Sequence, residues 1–80
     1  MSLLGWGTGV WYVYICNRNG QLYAGITTDV ERRMQRHGAR LLYSEAYPDR
    51  HTAARREREI KGWRREKQLT LIRERRVSLP

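Results

Sequence analysis

The sequence predicts an α+β fold, a three-stranded antiparallel sheet flanked by helices. Three observations point there. Two β-rich runs meet at an Asn19-Gly20 turn signal, helical periodicity with cap residues brackets a third short β-rich run, and 80 residues leave room for one domain at most. A chain this short buries only about 60–65% of its unfolded surface. Any functional site must therefore sit on the surface of one small core.

The elements follow in order. Residues 1–9 hold three glycines without periodicity and are expected to be a flexible lead-in. Val10 to Cys16 reads Val-Trp-Tyr-Val-Tyr-Ile-Cys, β-branched and aromatic, which suits a strand. Asn17-Arg18-Asn19-Gly20 then turns the chain, and Gln21 to Thr27 returns as the second strand. Thr28 is expected to cap a first helix, with Glu31 three residues on as its capping-box partner and Asp29 and Glu31 in the first turn. That helix runs to about His37 and stops at Gly38. Leu41 to Tyr47 forms a shorter third strand closed by Pro48. Asp49 caps a second helix from about Arg50 to Lys61, ending near Gly62-Trp63. A third helix holds Lys67, Leu69, Leu71 and Ile72. It lacks a good cap, because Arg64 stands where Ser or Asp is expected. One domain over 10–76 and a frayed tail over 77–80 complete the organisation.

Sixteen Lys and Arg against eight Asp and Glu give a net charge of +8. Fourteen of the sixteen are Arg, whose planar fork matches phosphate oxygens and stacks on bases. The first 28 residues carry one cation, Arg18, and no acid; the rest carry everything else. Such an excess implies a polyanionic partner, nucleic acid before an anionic membrane surface, with a solvated helical surface as the bland alternative. Cys16 is the only cysteine, which excludes an internal disulfide and a Cys-based zinc site. The start lacks the basic region of a signal peptide, and no apolar run is long enough to span a bilayer. A soluble cytoplasmic protein is expected.

Strand alternation sorts the hairpin into two faces. Val13, Ile15, Leu22, Ala24 and Ile26 make one apolar face. Tyr12, Tyr14, Cys16, Tyr23, Gly25 and Thr27 make the other, and a slip of one residue would mix the sets. Tyr14 and Tyr23 come close together on this second face. A cross-strand aromatic pair is an ordinary sheet stabiliser, but Gly25 beside them marks a place where something approaches the backbone. On the first helix, Val30, Arg33, Met34 and His37 share a core-facing stripe, while Arg32 and Arg36 face solvent. Arg33 and His37 fit either a snorkelling Arg with a dipole-favoured His, or a pair presented to a substrate. On the second helix, Glu57 falls in a stripe with Ala53, Ile60 and Trp63. A carboxylate there needs a salt bridge or a cation.

Taken together these residues resemble the GIY-YIG nuclease superfamily. Tyr12-Val13-Tyr14 followed by Tyr23-Ala24-Gly25 is similar to its paired GIY and YIG elements on adjacent strands. The run from Gly25 to His37 resembles the stretch leading into its Arg-x-x-x-His helix. Arg56-Glu57-Arg58-Glu59-Ile60-Lys61-Gly62-Trp63 resembles its metal-binding helix. Lys61-Gly62-Trp63 with Arg65, Lys67 and Leu71-Ile72 is similar to the small stand-alone bacterial branch, and the likeness covers roughly residues 10–72.

The resemblance implies a metal-dependent endonuclease acting on DNA rather than RNA, in repair or in processing of branched or single-stranded substrates. It implies Tyr14 as general base or as the group positioning the attacking water. Tyr23 would hold the water or the scissile phosphate, Arg33 would bind that phosphate, and His37 would assist proton movement. Glu57 would hold one divalent ion, Mg2+ or Mn2+, and Arg32, Arg36, Arg40, Lys61, Arg65 and Lys67 would supply the nucleic-acid-binding surface. The chemistry is coherent, because phosphodiester hydrolysis needs neutralised phosphoryl oxygens, a positioned water and help for the leaving oxygen. A free tyrosine has a pKa near ~10, so neighbouring cations would have to lower it for base catalysis at neutral pH. After His37 the chain runs Gly38-Ala39-Arg40 straight into the third strand, where members of this branch carry a longer Gly- and Arg-rich loop. A rival follows from that: a basic nucleic-acid-binding module that keeps the fold without cutting. A protein partner for targeting fits either reading.

Overall fold

The structure is a computed structural model and describes residues 9–78. Three strands form one antiparallel sheet in the order β2-β1-β3: β1 is Trp11–Arg18, β2 is Gln21–Thr27 and β3 is Arg40–Tyr47. Three helices complete it: α1 is Val30–His37, α2 is Arg50–Lys61 and α3 is Arg65–Ser78. The α+β class and the sheet are as expected from sequence.

The hairpin forms in the apolar-matching register, with Val13 opposite Ile26, Tyr14 opposite Gly25, and Ile15 opposite Ala24. β1 runs on to Arg18, beyond the expected end at Cys16, because Asn19 and Gly20 alone make the turn. Both take positive φ, 56° and 83°, the left-handed pair of a two-residue hairpin. The Asn17 side chain accepts a hydrogen bond from the Gly20 amide and holds the loop shut. A bulge between Ile15 and Cys16 lets β3 skip Leu42, so Tyr43 pairs with Ile15 and Leu41 with Cys16.

Helices cover both sheet faces. Val13, Ile15, Tyr43, Ala53, Ile60 and Ile72 make the larger core between the sheet, α2 and α3. Ile15, Ile60 and Val13 are its largest fully buried side chains. On the other face Tyr14 and Cys16 pack with Met34 of α1 in a smaller cluster. The second core is small because α1 is eight residues long and buries only Met34.

The first-helix cap is Asp29, not Thr28. Its carboxylate accepts from the Arg32 amide at 3.0 Å, while Thr27 Oγ1 accepts from the Asp29 amide at 3.1 Å. Thr27 is buried at the end of β2, and this local bond shifts the turn one residue along, so Asp29 lands in the capping position. Gly38 ends the helix in the left-handed conformation, and Asp49 caps α2 as expected. α3 starts without a side-chain cap; instead Gln68 Nε2 donates to the Ile60 carbonyl at the end of α2 and ties the two helices. α3 runs from Arg65 to Ser78. Residues 1–8 of the expected lead-in and 79–80 of the expected tail lie outside the described residues.

Candidate active site

A cleft of about 370 Å3 wraps the free edge of β2. Tyr14, Tyr23 and Gly25 reach it from one sheet face, and Ala24 and Ile26 from the other. Arg33 and His37 enter from α1, and Glu57 and Lys61 from α2. The edge position explains how helices on opposite faces share one cleft: among the described residues no strand pairs beyond β2, so side chains meet around it. Tyr14, Tyr23, Gly25, Arg33, His37 and Glu57 all line it. Their sequence separations gave no such proximity by themselves.

Gly25 explains how Tyr14 is held. The two residues are cross-strand partners, and the phenol lies directly over the bare glycine backbone. A Cβ at 25 would sit 2.5 Å from the Tyr14 hydroxyl oxygen and 2.7 Å from Cζ. What approaches this backbone is the chain's own tyrosine. Tyr14 is 7% exposed, so its ring is a fixed wall of the cleft. Arg33 Nη1 donates to the Tyr14 hydroxyl at 3.4 Å, the long end of a hydrogen bond. The guanidinium thus stays at the cleft with most of its donors uncommitted to Tyr14.

Tyr23 is set apart from Tyr14 by its exposure. It is 48% exposed, and its hydroxyl donates to Gln21 Oε1 at 3.0 Å. The reason is its place on an edge strand beyond the reach of the short α1. His37 is exposed in the last turn of α1.

Glu57 answers the question the sequence left open by having a partner: Lys61 Nζ lies 2.8 Å from Glu57 Oε2, one helical turn away. The Glu57 side chain is 19% exposed and that of Lys61 is 59% exposed. Among the described residues no three His, Cys, Asp or Glu side chains gather to hold a metal. The donor set still fits a magnesium-type cation, which keeps several waters and takes one or two carboxylates plus substrate phosphate oxygens. A single half-buried carboxylate lining an open cleft meets that requirement.

Of the basic residues expected to bind nucleic acid, only Lys61 lines the cleft. Arg32, Arg36, Arg40 and Arg65 are exposed outside it, and Lys67 stands over the Trp63 ring at 4.4 Å. Arg18 and Cys16 line the cleft as well and were not singled out from sequence. Alternation along β1 places both on the Tyr14 face, a signal that could have found them. Burial pushes the Cys16 thiol up, against a smaller opposing pull from Arg18. A thiol so held stays protonated and is a poor nucleophile.

A second depression of about 430 Å3 lies over Tyr47, Thr52, Arg55, Arg56 and Glu59. Arg56 and Glu59 already pair with each other at 2.9 Å, and Arg56 also grips Glu45. Of the two, the β2-edge cleft is the better candidate, since it brings an imidazole together with hydroxyl, guanidinium and carboxylate groups.

Known proteins bear on this arrangement. A family model described as the GIY-YIG catalytic domain matches residues 9–41, a span that holds Tyr14, Tyr23, Gly25, Arg33 and His37 but stops short of Glu57. A UPF0213 protein of Xanthomonas campestris is 43% identical over 77 aligned positions, covering 78% of this chain and 74% of its own. A UPF0213 protein of Staphylococcus aureus is 38% identical, covering 80% and 93% respectively. The solution NMR structure of a UPF0213 protein from Bacillus halodurans superposes with a TM-score of 0.57 at 34% identity, over 79% of this chain and 82% of that one. The Xanthomonas alignment spans 77 positions but uses only 78% of an 80-residue chain, so some positions of that relative have no counterpart here. Among the described residues no helix is long and apolar enough to cross a membrane.

Proposed function

Because this chain belongs to the UPF0213 family of small GIY-YIG proteins, we propose that it is a metal-dependent endonuclease that hydrolyses phosphodiester bonds in DNA. The observation that carries the reading is the β2-edge cleft, where Tyr14, Tyr23, Arg33, His37 and Glu57 converge from four elements. A processing or repair role on branched or single-stranded DNA in the cytoplasm is part of the proposal.

The roles follow from position. Arg33 binds the scissile phosphate with the guanidinium donors that its long contact to Tyr14 leaves free. Tyr14, fixed over Gly25, orients the attacking water beside that phosphate. Tyr23 closes the outer side at the mouth, and exposed His37 passes protons between the site and solvent. Glu57 would hold one Mg2+ or Mn2+, which when bound neutralises charge on the phosphoryl oxygens. The exposed arginines of α1, Arg32 and Arg36, together with Arg40, extend the positive field beyond the cleft; Arg65 and Lys67 do so from α3.

A second reading, a nucleic-acid-binding module that does not cut, is favoured by one feature. Only Gly38 and Ala39 join α1 to β3, so no basic loop is available there to grip substrate. The experiment is cleavage of labelled single-stranded, duplex and branched DNA with Mg2+, Mn2+ or chelator, comparing the native protein with Glu57→Ala. Metal-dependent cutting that disappears in the variant is the expected result. Binding without cutting in every condition moves the conclusion to the binding module.

A further inference from the structure

The Glu57–Lys61 pair sits inside the cleft, and its chemistry concerns the cation that Glu57 would carry. Both side chains line the cleft. The ammonium lies 2.8 Å from Oε2, within direct ion-pair contact of the carboxylate. The spacing of four residues on α2 brings the two together whenever that helix forms. A divalent ion on Glu57 would therefore meet a cation already at its ligand.

We propose that Lys61 is a resident counter-ion for Glu57, a latch that a divalent cation must displace. It rests on the metal-dependent reading of the cleft. Ammonium and divalent ion compete for the charge of one carboxylate and repel each other beside it, so loading the metal frees Lys61. The Lys61 side chain is more than half exposed, so solvent screens its end of the pair and weakens its hold on Glu57. Displacement is then cheap, and the four-carbon stem keeps the released ammonium within the cleft, where a phosphate oxygen is its natural new partner. The pair also spares a half-buried carboxylate from standing uncompensated in the metal-free chain. Metal loading and phosphate capture are thereby coupled: the ion that arrives on Glu57 delivers a second cation to the substrate.

The test is Mn2+ binding to the full chain without DNA, by isothermal titration calorimetry, for the native protein, Lys61→Gln, Glu57→Gln and the double variant. Circular dichroism checks that each is folded. Removing an exposed ion-pair partner should tighten Mn2+ binding about threefold or more in Lys61→Gln. That gain should vanish when Glu57 is also Gln. Unchanged or weaker binding in Lys61→Gln, with binding lost in Glu57→Gln, overturns the latch and leaves the metal role of Glu57 standing. Native-like Mn2+ binding in Glu57→Gln overturns the latch and the metal reading of the cleft together. No measurable binding in either the native protein or Lys61→Gln also overturns the latch.

Discussion

Gly25→Ala puts the packing of the cleft to a direct test. The new Cβ would lie 2.5 Å from the Tyr14 hydroxyl oxygen, 2.7 Å from Cζ and 3.1 Å from Cε2. The hydroxyl oxygen and two ring carbons are approached at once, so rotating the hydroxyl proton away gives no relief. The ring must move bodily, yet it is 7% exposed and packed against Cys16 and Met34. Two terms compete. Ala stiffens the unfolded chain and favours folding by about 0.4–1 kcal/mol. Overpacking a closed site costs about 1–3 kcal/mol. Overpacking wins, with a net loss of roughly 1–2 kcal/mol and a Tm lower by roughly 5–15 °C for a domain this size. The assay is urea and thermal unfolding of Gly25→Ala alone and in a Tyr14→Ala background. With the ring gone, Ala at 25 should be neutral or stabilising. Equal effects in both backgrounds would refute the argument that Tyr14 occupies the space over Gly25. Cleavage should also fall in Gly25→Ala, since displacing the ring breaks its 3.4 Å contact with Arg33.

Other predictions concern the network that seats α2 on the sheet. Glu45 on β3 accepts from Arg56 Nε at 3.0 Å and Nη2 at 2.9 Å, from the Tyr47 hydroxyl at 2.6 Å and from the Tyr43 hydroxyl. Burial disfavours its charge, but these bonds outweigh that and hold the carboxyl below its usual range. A lowered folded pKa means stability present above the ordinary carboxylate pKa and lost as pH falls through the folded one; denaturation at stepped pH should show this acid loss, and Glu45→Gln should flatten it. Tyr43 and Tyr47 are both pushed up to about 12, by burial first and by Glu45 next. Raised values mean stability intact below the ordinary tyrosine pKa of 10 and lost as pH rises toward 12, so ultraviolet titration should find two late phenols, and Tyr47→Phe should remove one. Asp29→Ala strips the cap from α1 and should cost about 0.5–2 kcal/mol in urea unfolding, whereas Thr28→Ala should cost little.

Much of the fold was legible in the chain because its signals are local. Asn19-Gly20 accepts the left-handed turn, the apolar alternation permits one register, and Asp49 and Gly62 bracket α2. The candidate site residues were legible only through the resemblance of their motifs to a family; pattern alone left Glu57 open between ion pair and metal, and the cleft that gathers them belongs to the fold. What the tertiary structure decided is what depends on which element lies beside which. Tyr23 is exposed because β2 is an edge and α1 is too short to cover it. Thr27 shifted the α1 cap to Asp29 because burial at the strand end ties its hydroxyl to the next turn. Glu45, unremarkable in sequence, became the hub of the β3–α2 contact only when the strand order put Arg56 over it. Local preference, carried by one residue and its near neighbours, is written in the sequence. The partners of a long charged side chain are not, because they belong to elements brought together only by the packing of the sheet.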